Sequence, residues 1–181
     1  MRTFVTGGTG FVGSAVIRKL LAEGHEVRAL ARRGTNARQL DGLNVERITG
    51  DLSDTSVLRA GMAGCEWVFH VAALYAYWGY SWDEFYQSNV EGTRRVMEAA
   101  QTSSVKRIVY TSTVGCIGFP GDGTLGTEET PVSLELMVGA YKRSKFLAEQ
   151  EALAAAQKGL PVVIVNPTAP MGEEDVKPTP T

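Results

Sequence analysis

Tyr141-Lys142-Arg143-Ser144-Lys145 sets a phenol and an amine four residues apart. On a helix that spacing brings both to one face. A tyrosine hydroxyl with its ordinary pKa of about 10 is a poor base at neutral pH. A nearby ammonium favours the phenolate and moves the hydroxyl toward the range where it can exchange protons. Upstream, Thr111-Ser112-Thr113 supplies hydroxyl donors. In an extended segment Thr111 and Thr113 share a side, and Thr113 is the donor expected to hold an oxygen. Tyr141, Lys145 and Thr113 thus form a candidate site for proton transfer at a carbonyl/hydroxyl pair.

These side chains need a frame, and the frame starts at the N-terminus. Thr3-Phe4-Val5-Thr6 reads as a strand. The glycine-rich turn Gly7-Gly8-Thr9-Gly10-Phe11-Val12-Gly13 follows, then an amphipathic helix through Val16, Ile17, Leu20 and Leu21. Glycines at 7, 10 and 13 suit a tight turn, close approach of backbone to a pyrophosphate, and close packing of helix on strand. Gly8, Gly10 and Gly13 also satisfy G-x-G-x-x-G, in the strand-to-helix context that gives that pattern meaning. Free N–H groups and the helix dipole would face phosphate charge. The implied ligand is a dinucleotide. The positive nicotinamide of its oxidised form would add to the pull of Lys145 on Tyr141, and Lys145 could also hold the nicotinamide ribose.

The second strand, about 26–31, selects between dinucleotides. An acid at its end would bind a ribose 2′-hydroxyl, but the chain has Ala31 followed by Arg32 and Arg33. Guanidinium groups hold a 2′-phosphate by charge-assisted bonds, so NADP(H) is expected over NAD(H). The alternative for the pair is a solvated basic turn. Arg38 could assist if its loop folds back. Asp51 is expected to accept from the adenine amine with Leu52 against the ring, or else Asp51 caps the helix that follows.

Strand and helix signals alternate along the chain. Strands are expected at about 2–6, 26–31, 44–49, 66–70, 107–110 and 161–165. Helices are expected at about 11–23, closed by Gly24, then 54–62, 83–102 and from 138–141 to 157, with a polar loop or short helix at 32–41. This is an α/β pattern for a doubly wound parallel sheet, a Rossmann fold, with ligands at the carboxyl ends of the strands. At 181 residues, 44% hydrophobic and 21% charged, the chain suits one globular domain. A net charge of −2 gives no bulk attraction to nucleic acid or to an anionic membrane. No apolar run reaches membrane-spanning length and no leader is expected. Cys65 and Cys116 read as reduced, packed thiols of a cytoplasmic protein. His25 and His70 stand alone, so no metal site is expected.

Taken in order, Thr6–Gly13, Gly50-Asp51-Leu52, His70-Val71-Ala72-Ala73, Asn89-Val90-Glu91-Gly92-Thr93, Tyr110-Thr111-Ser112-Thr113, Tyr141-x-x-x-Lys145 and Asn166-Pro167-Thr168 resemble the extended short-chain dehydrogenase/reductases, the NAD-dependent epimerase/dehydratase group. Within it the likeness is to dihydroflavonol-4-reductase-like proteins and hopanoid-associated sugar epimerases. The resemblance implies Thr113, Tyr141 and Lys145 as a catalytic triad. It implies a cofactor set of Gly7, Thr9, Gly10, Phe11, Val12, Gly13, Asp51, Leu52, Val71, Ala72, Ala73, Thr111, Tyr141, Lys145 and Pro167, to which the strand-2 reading adds Arg32 and Arg33. Asn89 would be structural. Thr113 stands where serine is commoner, and Ala31-Arg32 departs from an acidic strand-2 end.

Family members run longer. The expected organisation is a dinucleotide-binding domain over 1–168 and the start of a linker over 169–181, with most of a substrate domain lacking. The aromatic run 74–86 would either line a site for a small sugar-like or aromatic carbonyl/alcohol substrate or pack against the missing part. Helix faces near 83–102 and 141–157 could pair two subunits. Three functions are open: an NADP(H)-dependent oxidoreductase, a nucleotide-sugar epimerase or dehydratase with tightly held NAD(P), and a non-catalytic NADP(H) sensor.

Overall fold

In the computed structural model, which describes residues 1–172 and Asp175, six strands form one parallel sheet. The strands are β1 (Arg2–Thr6), β2 (Glu26–Ala31), β3 (Val45–Thr49), β4 (Trp67–His70), β5 (Arg107–Thr111) and β6 (Val162–Val165). Their spatial order is β3-β2-β1-β4-β5-β6. The order reverses between β1 and β4, so the crevice for a ligand lies at the carboxyl ends of those two strands. The expected tail Lys177–Thr181, and most of the 169–181 linker with it, lies outside the described residues.

The helices are α1 (Phe11–Ala22), α2 (Thr55–Met62), α3 (Trp82–Phe85), α4 (Gly92–Gln101) and α5 (Ala140–Gln157). Strand alternation sorts the core into two layers. Phe4, Val68, Ile108 and Tyr110 point to one side and meet Leu58 and Met62 of α2, Val96 of α4, and the Ala148 and Ala152 stripe of α5. Small alanines let α5 lie close to the sheet. Val5, Val27 and Ala29 point to the other side and meet Ile17 and Leu20 of α1. A fully buried side chain such as Ile17 contributes about 1.5–3 kcal/mol relative to an exposed one. The layer around α1 stops short of β6, where Val163 and Val165 are exposed.

The local signals are visible at the ends. Gly24 N–H reaches Leu21 O and His25 N–H reaches Leu20 O, which closes α1 in a Schellman motif. Asp54 caps α2 by accepting from Ser56 N–H (2.9 Å) and Val57 N–H (3.1 Å). The cap offered as the alternative role of Asp51 therefore belongs to Asp54. Asp51 instead accepts from Ser53 N–H at 3.0 Å.

The long helix expected over 83–102 forms over 82–101, with one departure inside it. A capping box between Ser81 and Glu84 starts α3, but residues Tyr86–Glu91 form a π turn before α4 begins. A π turn inside a helix rotates the residues beyond it relative to those before it. Here it brings Asn89 inward. The 32–41 segment is a loop with one 3-10 turn at Arg38–Leu40. Among the described residues no helix is long and apolar enough to cross a membrane. Both cysteines are free and buried, in keeping with packed thiols.

Candidate active site

The glycine turn closes on the segment after β4. Gly7 has φ +74°, and a Cβ there would lie 2.5 Å from Ala72 N. A Cβ on Gly13 would collide with the Gly7 carbonyl. Only glycine lets α1 start this close to β1 and to Ala72. Gly10 at the helix start gives no side-chain cap, so the first-turn N–H groups around Phe11 and Val12 have no hydroxyl or carboxylate of their own sequence closing them. That cradle fits a phosphate. Gly172 lies against the Phe11 ring at the same mouth.

Val71 N–H bonds to Thr6 O at 3.3 Å, and Ala72 N–H to the Thr6 hydroxyl at 3.3 Å. Val12, Val71, Thr111 and Pro167 line one groove of about 450 Å³, joined by Asn166. The other walls are Val16 of α1 and Phe69, Val109 and Val165 from the sheet face left open beside it. Four of the expected cofactor residues are thus brought together.

Arg32 and Arg33 sit in an exposed turn just past β2, closed by Thr35 N–H on Arg32 O. Leu52 is half-buried against the start of α4 at Gly92, and Asp51 is exposed. Ala73 is exposed beyond Ala72.

The proton-handling residues come from α5 and from the chain after β5. Lys145 is 2% exposed, and its Nζ donates to Tyr110 Oη at 3.0 Å and to Thr111 O at 2.8 Å. Burial pushes its amine down to about 8, against the opposing pull of Cys116 and Glu149. Tyr141 is partly buried one helical turn earlier. Its ring meets Tyr75 edge-on at 4.8 Å between centroids and Tyr77 at 6.2 Å. Burial, then Tyr75, Cys116 and Tyr77, raise its hydroxyl above the ordinary value. The Lys145 amine turns into the core toward β5, and burial is the largest influence on the Tyr141 phenol.

Thr113 has an extended backbone and its Oγ1 accepts from Gly115 N–H at 3.2 Å. That bond leaves the hydroxyl proton available for another acceptor. The Thr113 carbonyl is held by Asn166 Nδ2 at 3.0 Å, and the same amide nitrogen donates to Glu149 Oε2 at 2.9 Å. Glu149 lies one turn beyond Lys145 on α5. This clamp fixes the Thr113 segment against the helix that carries Tyr141 and Lys145.

The aromatic run divides. Tyr75 and Tyr77 pack on Tyr141, with Tyr75 Oη donating to Tyr77 Oη at 3.4 Å, while Trp82 pairs with Tyr86 and lies under Arg143. The sequence reading missed Tyr110, the Asn166–Glu149 clamp and the reach of Asn89. Asn89 bonds both backbone groups of Leu74 and the hydroxyl of Ser144. The signal for Glu149 was present in its spacing of four from Lys145. Among the described residues no cluster of His, Cys, Asp or Glu could hold a metal.

Residues 3–181 match the model of the NAD dependent epimerase/dehydratase family. The chain belongs to this family. Among curated relatives, the Synechocystis sp. protein named "Putative dihydroflavonol 4-reductase" is 49% identical over 178 residues, covering 98% of this chain and 52% of its own length. A Stigmatella aurantiaca ketoreductase, acting by its name on a 4-farnesyl-3,4-dihydroquinoline-1-oxide, is 36% identical over 97% of this chain and 52% of its own length. Among solved structures, gox2253 superimposes with a TM-score of 0.92 at 46% identity, over 98% of this chain and 54% of that one. MoeE5 in complex with UDP-glucose and NAD gives 0.73 at 30% identity, over 91% and 52%. The chain spans about half the length of these family relatives.

Proposed function

We propose that this chain carries the cofactor site and the proton-handling residues of an NADP(H)-dependent oxidoreductase acting on a carbonyl/hydroxyl pair. The observation that carries the reading is the cradle of Gly7 and Gly13 closed on Ala72, at the same carboxyl edge of the sheet where the buried Lys145 of α5 reaches Thr111 O. The residues present fit a dinucleotide. The glycine turn and the uncapped start of α1 would hold its pyrophosphate, Arg32 and Arg33 its 2′-phosphate, Asp51 and Leu52 its adenine. Val71, Ala72, Thr111 and Pro167 would flank its nicotinamide. When bound, the nicotinamide supplies or accepts hydride.

This chain's own residues would do the rest. Thr113 donates its hydroxyl proton to the substrate oxygen, and the Asn166–Glu149 clamp keeps it in place. Tyr141 passes a proton to or from the same oxygen. A hydroxyl raised by burial keeps its proton at neutral pH, which suits the direction in which a carbonyl is reduced and Tyr141 is the acid. Tyr75 and Tyr77 cover Tyr141 and offer rings to an aromatic or sugar-like substrate.

A second reading, a nucleotide-sugar epimerase, draws on the likeness to a protein bound to UDP-glucose and NAD. Nicotinamide absorbance separates the two. With NADPH and a panel of aromatic and sugar-derived carbonyls, an oxidoreductase consumes NADPH. An epimerase turns over its substrate with no net change and keeps its nucleotide through purification. In either case Tyr141→Phe should abolish turnover while nucleotide binding persists; unchanged turnover would remove Tyr141 from the chemistry.

A further inference from the structure

Lys145 belongs to α5, yet its amine is held by two consecutive residues of β5. Its Nζ donates to Tyr110 Oη at 3.0 Å and to Thr111 O at 2.8 Å, and it lies 4.6 Å from the centroid of the Tyr110 ring. Lys145 is 2% exposed and Tyr110 is 1% exposed. The Tyr110 ring is itself fixed. It meets the His70 ring at 5.5 Å between centroids, pairs across the sheet with His70 and Ile164, and sits in the core layer with Ala148 and Ala152 of α5. We propose that Tyr110 is a positioning residue for the cofactor site: its hydroxyl holds the Lys145 amine so that the remaining N–H is aimed at the nicotinamide ribose of a bound dinucleotide.

An ammonium carries three donors on a tetrahedral nitrogen and no acceptor. Once two N–H directions are taken, the third is set. Thr111 lines the groove beside Val71 and Pro167, so an amine bound to the Thr111 carbonyl stands at the wall of that groove. The carbonyl alone would be a single anchor at the end of a flexible four-carbon stem, and the amine could turn about it. The Tyr110 hydroxyl is the second anchor. A hydrogen bond from an ammonium is stronger than one between neutral groups, and the ring adds its own attraction for the charge. Lys145 thus supplies the charge and Tyr110 its direction, with the tyrosine locked by its own packing. The inference rests on the reading of Lys145 as a group that holds the nicotinamide ribose.

The test is a double-mutant cycle read by calorimetric titration with NADPH. Tyr110→Phe keeps the ring and its packing and removes the hydroxyl. Lys145→Met keeps an unbranched side chain and removes the amine. Each single change should weaken NADPH by about tenfold. Tyr110→Phe added to Lys145→Met should cost nothing further, because the hydroxyl acts only through the amine. An equal loss from Tyr110→Phe with or without the amine would make Tyr110 a structural residue and overturn the proposal. So would an affinity unchanged by Tyr110→Phe where Lys145→Met lowers it. If Lys145→Met itself leaves NADPH binding unchanged, the ribose reading of Lys145 fails, and the role of Tyr110 fails with it. A second readout needs no nucleotide. In the protein labelled with 15N-lysine, at a pH well below the value of about 8 to which burial pushes the amine, the Lys145 ammonium should give a resolved signal in slow exchange with water. Lys145→Met assigns it by its loss. Tyr110→Phe should shift or broaden that signal. A signal left in place would overturn the hold of the hydroxyl on the amine while the cofactor reading stands.

Discussion

Replacing Asn89 by alanine removes three hydrogen bonds that join segments far apart in the chain. Its Oδ1 accepts Leu74 N–H at 2.6 Å, and its Nδ2 donates to Leu74 O at 3.1 Å and to Ser144 Oγ at 2.9 Å. Asn89 is 2% exposed, so water does not replace the bonds unless the site opens. At about 1 kcal/mol net for each bond, Asn89→Ala should lose about 3 kcal/mol of stability. For a domain of this size that lowers Tm by about 6–12 °C. The loop bearing Tyr75 and Tyr77 would also lose its tether to the first turns of α5, where Tyr141 sits. Thermal unfolding by circular dichroism measures the first effect. Asn89→Asp should not rescue it, because a carboxylate set against Leu74 O has no donor for that carbonyl. A double cycle with Ser144→Ala should show coupling of about 1 kcal/mol. A Tm for Asn89→Ala within about 2 °C of the parent would refute the view that the π turn exists to aim Asn89.

Gly13→Ala should destabilise by about 1–3 kcal/mol in chemical denaturation, although alanine favours helix, because its Cβ would meet the Gly7 carbonyl; an unchanged midpoint would remove the close-packing role. The buried His70 is held down at about 3, below its ordinary 6.5. A group with a depressed folded-state pKa contributes stability that is present above 6.5 and is lost as pH falls toward 3. Between pH 6.5 and 5 this should remove about 2 kcal/mol. In urea melts His70→Asn should flatten that slope, and an identical slope would place the acid sensitivity elsewhere. Glu149→Ala frees Asn166 and should lower kcat more than it raises KM, because Thr113 meets the substrate oxygen most strongly in the transition state; a change in KM alone would assign the clamp to binding.

The six strands and the glycine turn were legible because parallel strands in a doubly wound sheet read as short apolar runs and the turn needs glycine at fixed offsets. The π turn was not legible. Apolar periodicity runs on through Val90, Val96 and Met97, and one extra residue in a turn leaves no mark that short spacing can show. The partner of Lys145 was hidden for a different reason. Tyr110 and Lys145 are 35 residues apart in sequence, and only the packing of α5 on β5 aims one at the other. The charge of Lys145 is readable from spacing, whereas the burial that pushes the Tyr141 phenol the other way is set only by the packed fold. Asp51 and Asp54 both precede a helix start, and the choice between them depends on which carboxylate reaches the N–H groups of Ser56 and Val57.

The most direct test of the central claim is calorimetric titration of the purified protein with NADPH and, separately, with NADH. NADPH should bind more tightly, and Arg32→Asp should weaken NADPH by about ten- to a hundredfold while changing NADH little, as expected for one lost charge-assisted contact to phosphate. Binding of neither nucleotide would contradict the account. Equal affinity for the two, unaffected by Arg32→Asp, would leave the dinucleotide site and strike out its phosphate-reading arginine.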